Sequence, residues 1–251
     1  MRHTNHIKCP ECIYGDGWVT LVSGDEGYNP FYPKARECKT CAAKRKKERR
    51  ERLQEISRLT DEEKAFRTSD IYLKPERTGT TKMVEAVKRF IENPRGILTI
   101  YGTNGNGKSV ALIAAVNELI DGGKSALYIT ALDLLMWIQE SYNKDTSQKE
   151  GTVLDKVVML KEIEILAIDE FGAIKASDWR TEILETIIDY RWRQGLDDKQ
   201  GTLIATNEDP EQHESYRIRS RLMDARNSDM ESPIVINEDS DVRPSMRRKR
   251  Q

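Results

Sequence analysis

Short apolar runs and amphipathic stretches alternate along the chain from about residue 80 onward. The apolar runs are continuous and short, which is typical of strands buried on both faces of a parallel sheet. They cover Gly96–Tyr101, Ser125–Ile129, Ile163–Asp169 and Thr202–Thr206. Between them, apolar residues recur at helical spacing in Met83–Ile91, Val110–Ile120, Leu132–Tyr142, Leu154–Leu160 and Trp179–Gln194. This alternation predicts an α/β fold of three layers, with a parallel sheet between two layers of helices.

The helical spacing also predicts which side chains face the sheet. We expect one apolar helical face to consist of Leu154, Val157, Val158 and Leu160. In the last amphipathic stretch we expect burial of Ile183, Leu184, Ile187 and Ile188.

The N-terminal part of the chain lacks this alternation and carries all the cysteines. They form two Cys-x-x-Cys pairs, Cys9 with Cys12 and Cys38 with Cys41. This spacing lets both thiolates of a pair reach one tetrahedral zinc ion, and four thiolates complete its coordination. Free thiols or a disulfide are the alternatives. We expect residues 1–60 to form a small zinc-ribbon-like module whose folding depends on Zn²⁺, because so short a segment has little core.

A strongly basic segment follows the second cysteine pair. From Lys44 to Arg52, seven of nine residues are lysine or arginine, and Leu53, Ile56 and Leu59 then recur at helical spacing. The pattern predicts a charged helix at the end of the module. Such a helix either contacts nucleic-acid phosphates or is simply solvated. Turn and cap signals between residues 60 and 80 place the start of a second domain near residue 65, so that it covers 65–251.

Composition restricts the partners of the protein. The chain has 251 residues, of which 37% are hydrophobic, enough for one packed domain and a smaller module. Its formal net charge is −1, so any attraction to nucleic acid has to be local. The apolar runs are too short to cross a bilayer, and residues 1–20 lack the apolar centre of a signal peptide. We expect a cytoplasmic protein with no membrane partner.

A phosphate-binding loop follows the first apolar run. Gly-x-x-x-x-Gly-Lys-Ser between a strand and a helix is the pattern of a P-loop, whose backbone N–H groups surround the phosphates of ATP. In this pattern Lys108 contacts the β- and γ-phosphates, and Ser109 holds Mg²⁺. The loop and the residue after it are Gly102, Thr103, Asn104, Gly105, Asn106, Gly107, Lys108, Ser109 and Val110.

Two further apolar runs end in polar residues that suit ATP hydrolysis. Asp169 and Glu170 end the third run, where the first carboxylate can support Mg²⁺ and the second can act as the base for the attacking water. Asn207 follows the fourth run, and its amide can bind both the γ-phosphate and that water; we prefer it to Thr206 for this role. Because parallel strands end at one edge of a sheet, these residues should meet the P-loop there.

Together with the segment Arg217–Leu222, these motifs resemble the AAA+ ATPases of the DnaC/DnaI helicase-loader type, which are related to the initiator DnaA. The similarity covers roughly residues 65–245. The resemblance implies that Arg217, or alternatively Arg221, is an arginine finger that enters the site of a neighbouring protomer. It also implies that Arg243 is the sensor-two arginine, which contacts the γ-phosphate within its own subunit.

The same resemblance implies an ATP-dependent helicase loader of a bacterial cell, of host or phage origin. The N-terminal module would bind the replicative hexameric helicase, and the ATPase domains would self-associate through the ATP site on single-stranded DNA. In the family, DNA contacts involve the helix after the second strand, here about Leu132–Tyr142. Two other functions stay open: an IstB-like transposition helper, and an adaptor that binds ATP without hydrolysing it.

Overall fold

A computed structural model describes residues 12, 18–21, 23, 35–142, 151–173, 178–197, 200–227 and 232–241. The chain divides into two compact units, Met1–Leu53 and Gln54–Gln251. Within the described residues, no helix is long and apolar enough to span a bilayer.

The first unit contains a small antiparallel pair of strands, β1 (Trp18–Thr20) and β2 (Ala35–Glu37). Helix α1 (Lys39–Ser57) follows directly. The basic segment Lys44–Arg52 lies within α1, and all of its residues are exposed. The buried residues described before residue 54 are Cys12, Cys38 and Leu53.

The second unit begins with two helices, α2 (Asp61–Ala65) and α3 (Thr78–Glu92). Strands and helices then follow in the order β3 (Gly96–Gly102), α4 (Lys108–Asp121), β4 (Ala126–Thr130), α5 (Ala131–Gln139), α6 (Val153–Glu162), β5 (Ile165–Asp169), α7 (Asp178–Leu196), β6 (Gly201–Thr206), α8 (Tyr216–Leu222) and β7 (Ile234–Asn237). The five strands β3–β7 form one parallel sheet in the order β4-β5-β6-β3-β7. The predicted α/β fold with a parallel sheet is confirmed.

One strand of this sheet was not predicted from the sequence. Strand β7 pairs with β3 at the edge of the sheet, and its last residue Asn237 lies opposite Gly102. Only four residues long, with Ile236 52% exposed, it lacks the continuous apolar run of the inner strands. Its position brings the chain that follows it to the phosphate loop.

The core forms where α3 and α4 pack on the sheet. Buried residues of α3 include Met83, Val87 and Phe90, and α4 contributes Leu112 and Val116 among others. The spacing of apolar residues therefore predicted these helix faces correctly.

Two other helices bury fewer apolar residues than the spacing suggests. On α6, Val157 and Leu160 are buried, but Leu154 is 69% and Val158 is 37% exposed. The predicted face is thus split, because only one side of α6 meets the second unit's core. On α7, Leu184, Ile187 and Ile188 are buried, whereas Ile183 is half-buried.

A fully buried arginine joins four segments behind the sheet. Arg191 of α7 donates from Nη1 to the carbonyls of Leu160 at 3.0 Å and Ile163 at 2.7 Å. Its Nη2 donates to the carbonyl of Gly201 at 2.6 Å, and its Nε donates to Oγ1 of Thr202 at 2.8 Å. Burial lowers the pKa of Arg191 to about 9, which is still above neutrality, so the guanidinium stays charged at pH 7. The end of α6 and the starts of β5 and β6 are thereby fixed together.

Candidate nucleotide-binding site

The predicted phosphate loop connects the end of β3 to the start of α4. Gly105 and Gly107 have φ angles of 72° and 97°, a left-handed conformation that costs glycine little. At Gly102, a Cβ atom would lie only 1.8 Å from the carbonyl oxygen of Asn237 in the neighbouring strand, so this position admits only glycine. The loop delivers the N-terminus of α4, with its unpaired backbone N–H groups, to the carboxyl edge of the sheet.

Lys108, the first residue of α4, is held against this loop. Its Nζ donates to the carbonyls of Gly102 at 2.9 Å and Thr103 at 2.6 Å, and to Oδ1 of Asn106 at 3.3 Å. The side chain is largely buried, and these three acceptors are neutral oxygens. They fix the ammonium at the wall of the cleft, where an anion would meet it.

A cleft of about 310 Å³ opens in front of the loop. It is lined by Asn104, Gly105, Asn106, Gly107, Lys108, Ser109, Val110, Asp169, Glu170, Ala205, Thr206 and Asn207. The P-loop and the ends of β5 and β6 therefore meet in one place, as the sequence predicts. Of the other predicted site residues, Gly102 and Thr103 precede this lining in the chain and are not part of it, and Arg243 lies outside the described residues.

The Asp169 carboxylate is buried at the end of β5 and fixed at both oxygens. Oδ1 accepts from the backbone N–H of Glu170 at 2.8 Å, and Oδ2 accepts from the hydroxyl of Tyr128 at 2.7 Å. Burial and then the nearby Asp169 charge raise the pKa of Tyr128, so the phenol stays protonated and keeps donating. Carboxylate and hydroxyl oxygens are ligands that Mg²⁺ accepts, so Asp169 and Ser109 in one cleft fit that ion.

Tyr128 was not predicted as a site residue. Its signal in the sequence is weak: it is the one aromatic residue in the aliphatic strand β4, opposite Ala167 of β5. Only the pairing of these two strands shows that its hydroxyl reaches Asp169.

Glu170 turns out of the strand at the mouth of the cleft. Its φ of 52° is left-handed, which costs a residue with a Cβ atom about 1 kcal/mol or more. The residue is exposed and lines the cleft. A carboxylate in this position is accessible to water, as a general base requires.

The polar end of β6 offers Thr206 and Asn207 to the same cleft. The Thr206 hydroxyl is occupied by the turn that follows, since it donates to the carbonyl of Glu208 at 3.1 Å and accepts from its N–H at 3.0 Å. Asn207 is exposed at the cleft wall. This difference favours Asn207 for binding a phosphate or water, which stays a prediction.

The last residue of β7 and the segment that follows it hydrogen-bond to the phosphate loop. Asn106 donates through Nδ2 to the carbonyl of Asn237, and the Asn237 amide donates back to the carbonyl of Asn106 at 3.2 Å. The Thr103 hydroxyl donates to the carbonyl of Asp239 at 3.1 Å. These contacts, which were not predicted, position the loop through a part of the chain about 130 residues away.

Asp239 also caps α3, whose own N-cap residue makes no side-chain cap. Its carboxylate accepts from the N–H and the hydroxyl of Thr80, each at 2.6 Å, and lies 3.9 Å from the Arg77 guanidinium. Burial acts to raise the pKa of Asp239, but the bonds from Thr80 and Gly79 and the charge of Arg77 outweigh it and leave the pKa below its ordinary value. The charged form is therefore the one that stabilises the fold.

We expect Asp239→Ala to lower the free energy of unfolding by about 1–2 kcal/mol at pH 7, as loss of a helix cap does. Because the pKa of Asp239 is lowered in the fold, its contribution is complete above its ordinary pKa of about 4 and is lost as the pH falls further. Urea denaturation should show the difference between wild type and variant shrinking below about pH 4. Glu238→Ala, at an exposed neighbour, is the control. A pH-independent difference would contradict this role.

The two candidate arginine fingers lie on α8 in different surroundings. Arg221 stacks on the Trp192 ring at 3.7 Å and pairs with Asp189 at 2.9 Å, so it is tied to its own subunit. The Arg217 side chain is 77% exposed, and its nearest acidic oxygen, on Glu185, is 3.6 Å away. An arginine that reaches a neighbouring protomer has to leave its own surface easily. This geometry favours Arg217, and its role stays a prediction.

Three of the four predicted zinc ligands lie together in the first unit. The sulfur atoms of Cys12, Cys38 and Cys41 are all within 4.8 Å of one another, and the first two residues are buried. Sulfurs on one tetrahedral zinc lie about 3.8 Å apart, given Zn–S bonds of about 2.3 Å. The cluster therefore fits a metal ion of this kind. Cys9, the fourth predicted ligand, lies outside the described residues.

The sheet order and the cleft define the class of protein: the second unit has the fold of a P-loop AAA+ ATPase domain. The replication initiator DnaA bound to AMPPCP and single-stranded DNA superposes with a TM-score of 0.59 at 21% identity, over 77% of this chain and 55% of that one. The DnaI crystal structure gives 0.54 at 23% identity, over 72% and 95%. At these identities the likeness concerns the fold.

Sequence comparison leads to a narrower group, the DnaC and DnaI replicative helicase loaders, to which this chain is similar. It is 28% identical to DnaC of Escherichia coli (strain K12) over 166 residues, 64% of each chain. It is 26% identical to DnaI of Bacillus subtilis (strain 168) over 142 residues, 55% of this chain and 42% of DnaI. The match thus spans just under two thirds of DnaC and less of DnaI. No protein-family model matches the chain.

Proposed function

We propose that this protein is an ATP-dependent loader of a replicative helicase in the bacterial cytoplasm. The observation that carries the proposal is the cleft in which the P-loop, Asp169, Glu170 and Asn207 meet, in a chain whose sequence relatives are helicase loaders. The relatives support helicase loading, and the cleft supports the use of ATP for it.

ATP is the substrate that the cleft fits. Backbone N–H groups of the loop and the Lys108 ammonium bind its phosphates, while Ser109 and Asp169 hold Mg²⁺, which neutralises charge on them. Glu170 then accepts a proton from the attacking water, and Asn207 orients that water. The exposed position of Arg217 supports its entry into the ATP site of a neighbouring protomer, so that ATP binding promotes self-association.

The N-terminal unit supplies a second set of contacts. Cys12, Cys38 and Cys41, joined by Cys9, bind Zn²⁺ and order the short strands around it. This module binds the helicase, while ATPase domains assemble on single-stranded DNA. Hydrolysis of ATP in the assembled sites then weakens self-association and releases the loader.

Native mass spectrometry of the full chain with the candidate replicative helicase tests this proposal. We expect one zinc per chain, a complex with the helicase, and a larger number of loader subunits when ATP is present. Lys108→Ala should keep the zinc and the helicase but lose the response to ATP, because it removes the phosphate-binding ammonium. A zinc-loaded chain that binds ATP but forms no complex with the helicase would contradict the loader function. Capture of a transposase instead would favour the transposition-helper alternative.

A further inference from the structure

We propose that the basic segment Lys44–Arg52 of α1, together with Trp18, binds single-stranded DNA. This inference deepens the proposed function and rests on its premise that the protein acts on single-stranded DNA. It assigns that contact to the N-terminal unit.

The charge of the segment is dense and solvent-facing. Its seven basic and two acidic residues give a net charge of +5, along about 14 Å of helix at 1.5 Å per residue. The two glutamates lie at 3.8 Å from Lys44 and Lys47, in exposed pairs of little strength. Like charges also recur four residues apart, as at Arg45 and Arg49, which destabilises a helix. A polyanion bound along the segment relieves that repulsion.

The kinds of side chain favour nucleic acid over an acidic protein. Four of the seven basic residues are arginines, whose planar forks match the oxygens of phosphates and of carboxylates alike, so the distinction rests on another side chain. An exposed aromatic ring lies near them: Trp18 of β1 is 56% exposed and stands opposite Glu37 of β2, which pairs with Arg45 of α1. An acidic protein would need only the positive charge of the segment. A single strand also offers bases, and these stack on exposed aromatic rings that lie beside basic residues.

Helix α5 is poorly suited to the same task. It contains no lysine or arginine, and it exposes Leu132 and Met136, which are 52% and 49% accessible, beside Asp133. Phosphate contacts without cations add little affinity. The expectation that the helix after the second strand binds DNA is therefore not supported by the charge of α5. The basic side chains that α5 lacks are present on α1.

Fluorescence anisotropy of the full chain with labelled (dT)20 over a range of NaCl concentrations tests the site. Five neutralised phosphates give a slope of about −3.5 for log Kobs against log[NaCl], at about 0.7 per phosphate of a single strand. We expect the triple variant Lys46→Gln, Arg49→Gln, Arg52→Gln to reduce this slope by about 2, which weakens binding about 100-fold at 0.1 M salt. Glutamine keeps helix propensity, so α1 should persist.

A matched control makes the same change in charge on α3, with Lys82→Gln, Lys88→Gln and Arg89→Gln, all exposed. It should leave the slope within about 0.5 of wild type. Equal slopes for the two triple variants would overturn the proposal. So would a helix α1 variant that keeps its affinity for (dT)20 but no longer binds the helicase, since the segment would then be a protein-docking surface.

Substitutions of Trp18 should affect the binding of (dT)20 differently from substitutions of the basic residues. Trp18→Leu should weaken binding of (dT)20 about tenfold at every salt concentration without changing the slope, and Trp18→Phe should restore most of the affinity. If Trp18→Leu binds (dT)20 as tightly as wild type does, the Trp18 ring is not part of the binding site. The DNA measurement needs no helicase. A wild-type chain that binds (dT)20 through α1 but forms no helicase complex would therefore refute the loader function alone.

Discussion

Glu170→Gln should bind ATP as tightly as wild type, within about twofold, and hydrolyse it at least 100-fold more slowly. Removal of a general base costs about 10²–10⁴ in rate, whereas the contacts that hold the phosphates come from the P-loop and Lys108. Glutamine has nearly the same shape as glutamate, so the turn at the end of β5 should be kept. Steady-state phosphate release and equilibrium binding of a fluorescent ATP analogue measure the two quantities.

The matched control for this variant is Glu211→Gln, which makes the same chemical change at an exposed residue outside the cleft. Its turnover should stay within about twofold of wild type. Turnover by Glu170→Gln within tenfold of wild type would show that another group activates the water. Loss of both binding and turnover would instead indicate a structural role for Glu170. If turnover depends on assembly, both assays have to be run at the same subunit concentration.

Arg191→Met should lower the free energy of unfolding by about 3–4 kcal/mol. The substitution keeps most of the side-chain volume, so the loss comes from backbone carbonyls of Leu160, Ile163 and Gly201 that lose a charged donor inside the protein. A buried polar group without a partner costs about 1–3 kcal/mol. Urea denaturation followed by circular dichroism measures the change.

Arg193→Met, two residues further along α7, is the control for this effect. The Arg193 side chain is 66% exposed and pairs with Asp189 at the surface, so its loss should change stability by no more than about 0.5 kcal/mol. Arg191→Lys should recover only part of the loss, because one ammonium cannot reach acceptors in three other segments at once. Similar effects of the Arg191 and Arg193 substitutions would contradict the structural role given to Arg191.

Much of the candidate nucleotide-binding cleft could be predicted because its parts are local motifs at the ends of strands. The P-loop, Asp169, Glu170 and Asn207 each follow an apolar run, and parallel strands bring those ends to one edge. Residues that act through distant partners could not be found in this way. Tyr128 reaches Asp169 only because β4 pairs with β5, and Asp239 reaches Thr80 across 159 positions of sequence.

From the sequence alone we predicted the alternation of strands β3–β6 with helices, the phosphate loop and a separate cysteine-containing unit. These follow from short-range physics, since period, apolar runs and glycine spacing are set by neighbours along the chain. Other features became visible only in the three-dimensional packing: the edge strand β7, the buried Arg191, the fixed Asp169 carboxylate and the different surroundings of Arg217 and Arg221. Periodicity indicates which face of a helix is apolar, but only the packing of remote segments determines how much of that face is buried and which atoms each side chain meets.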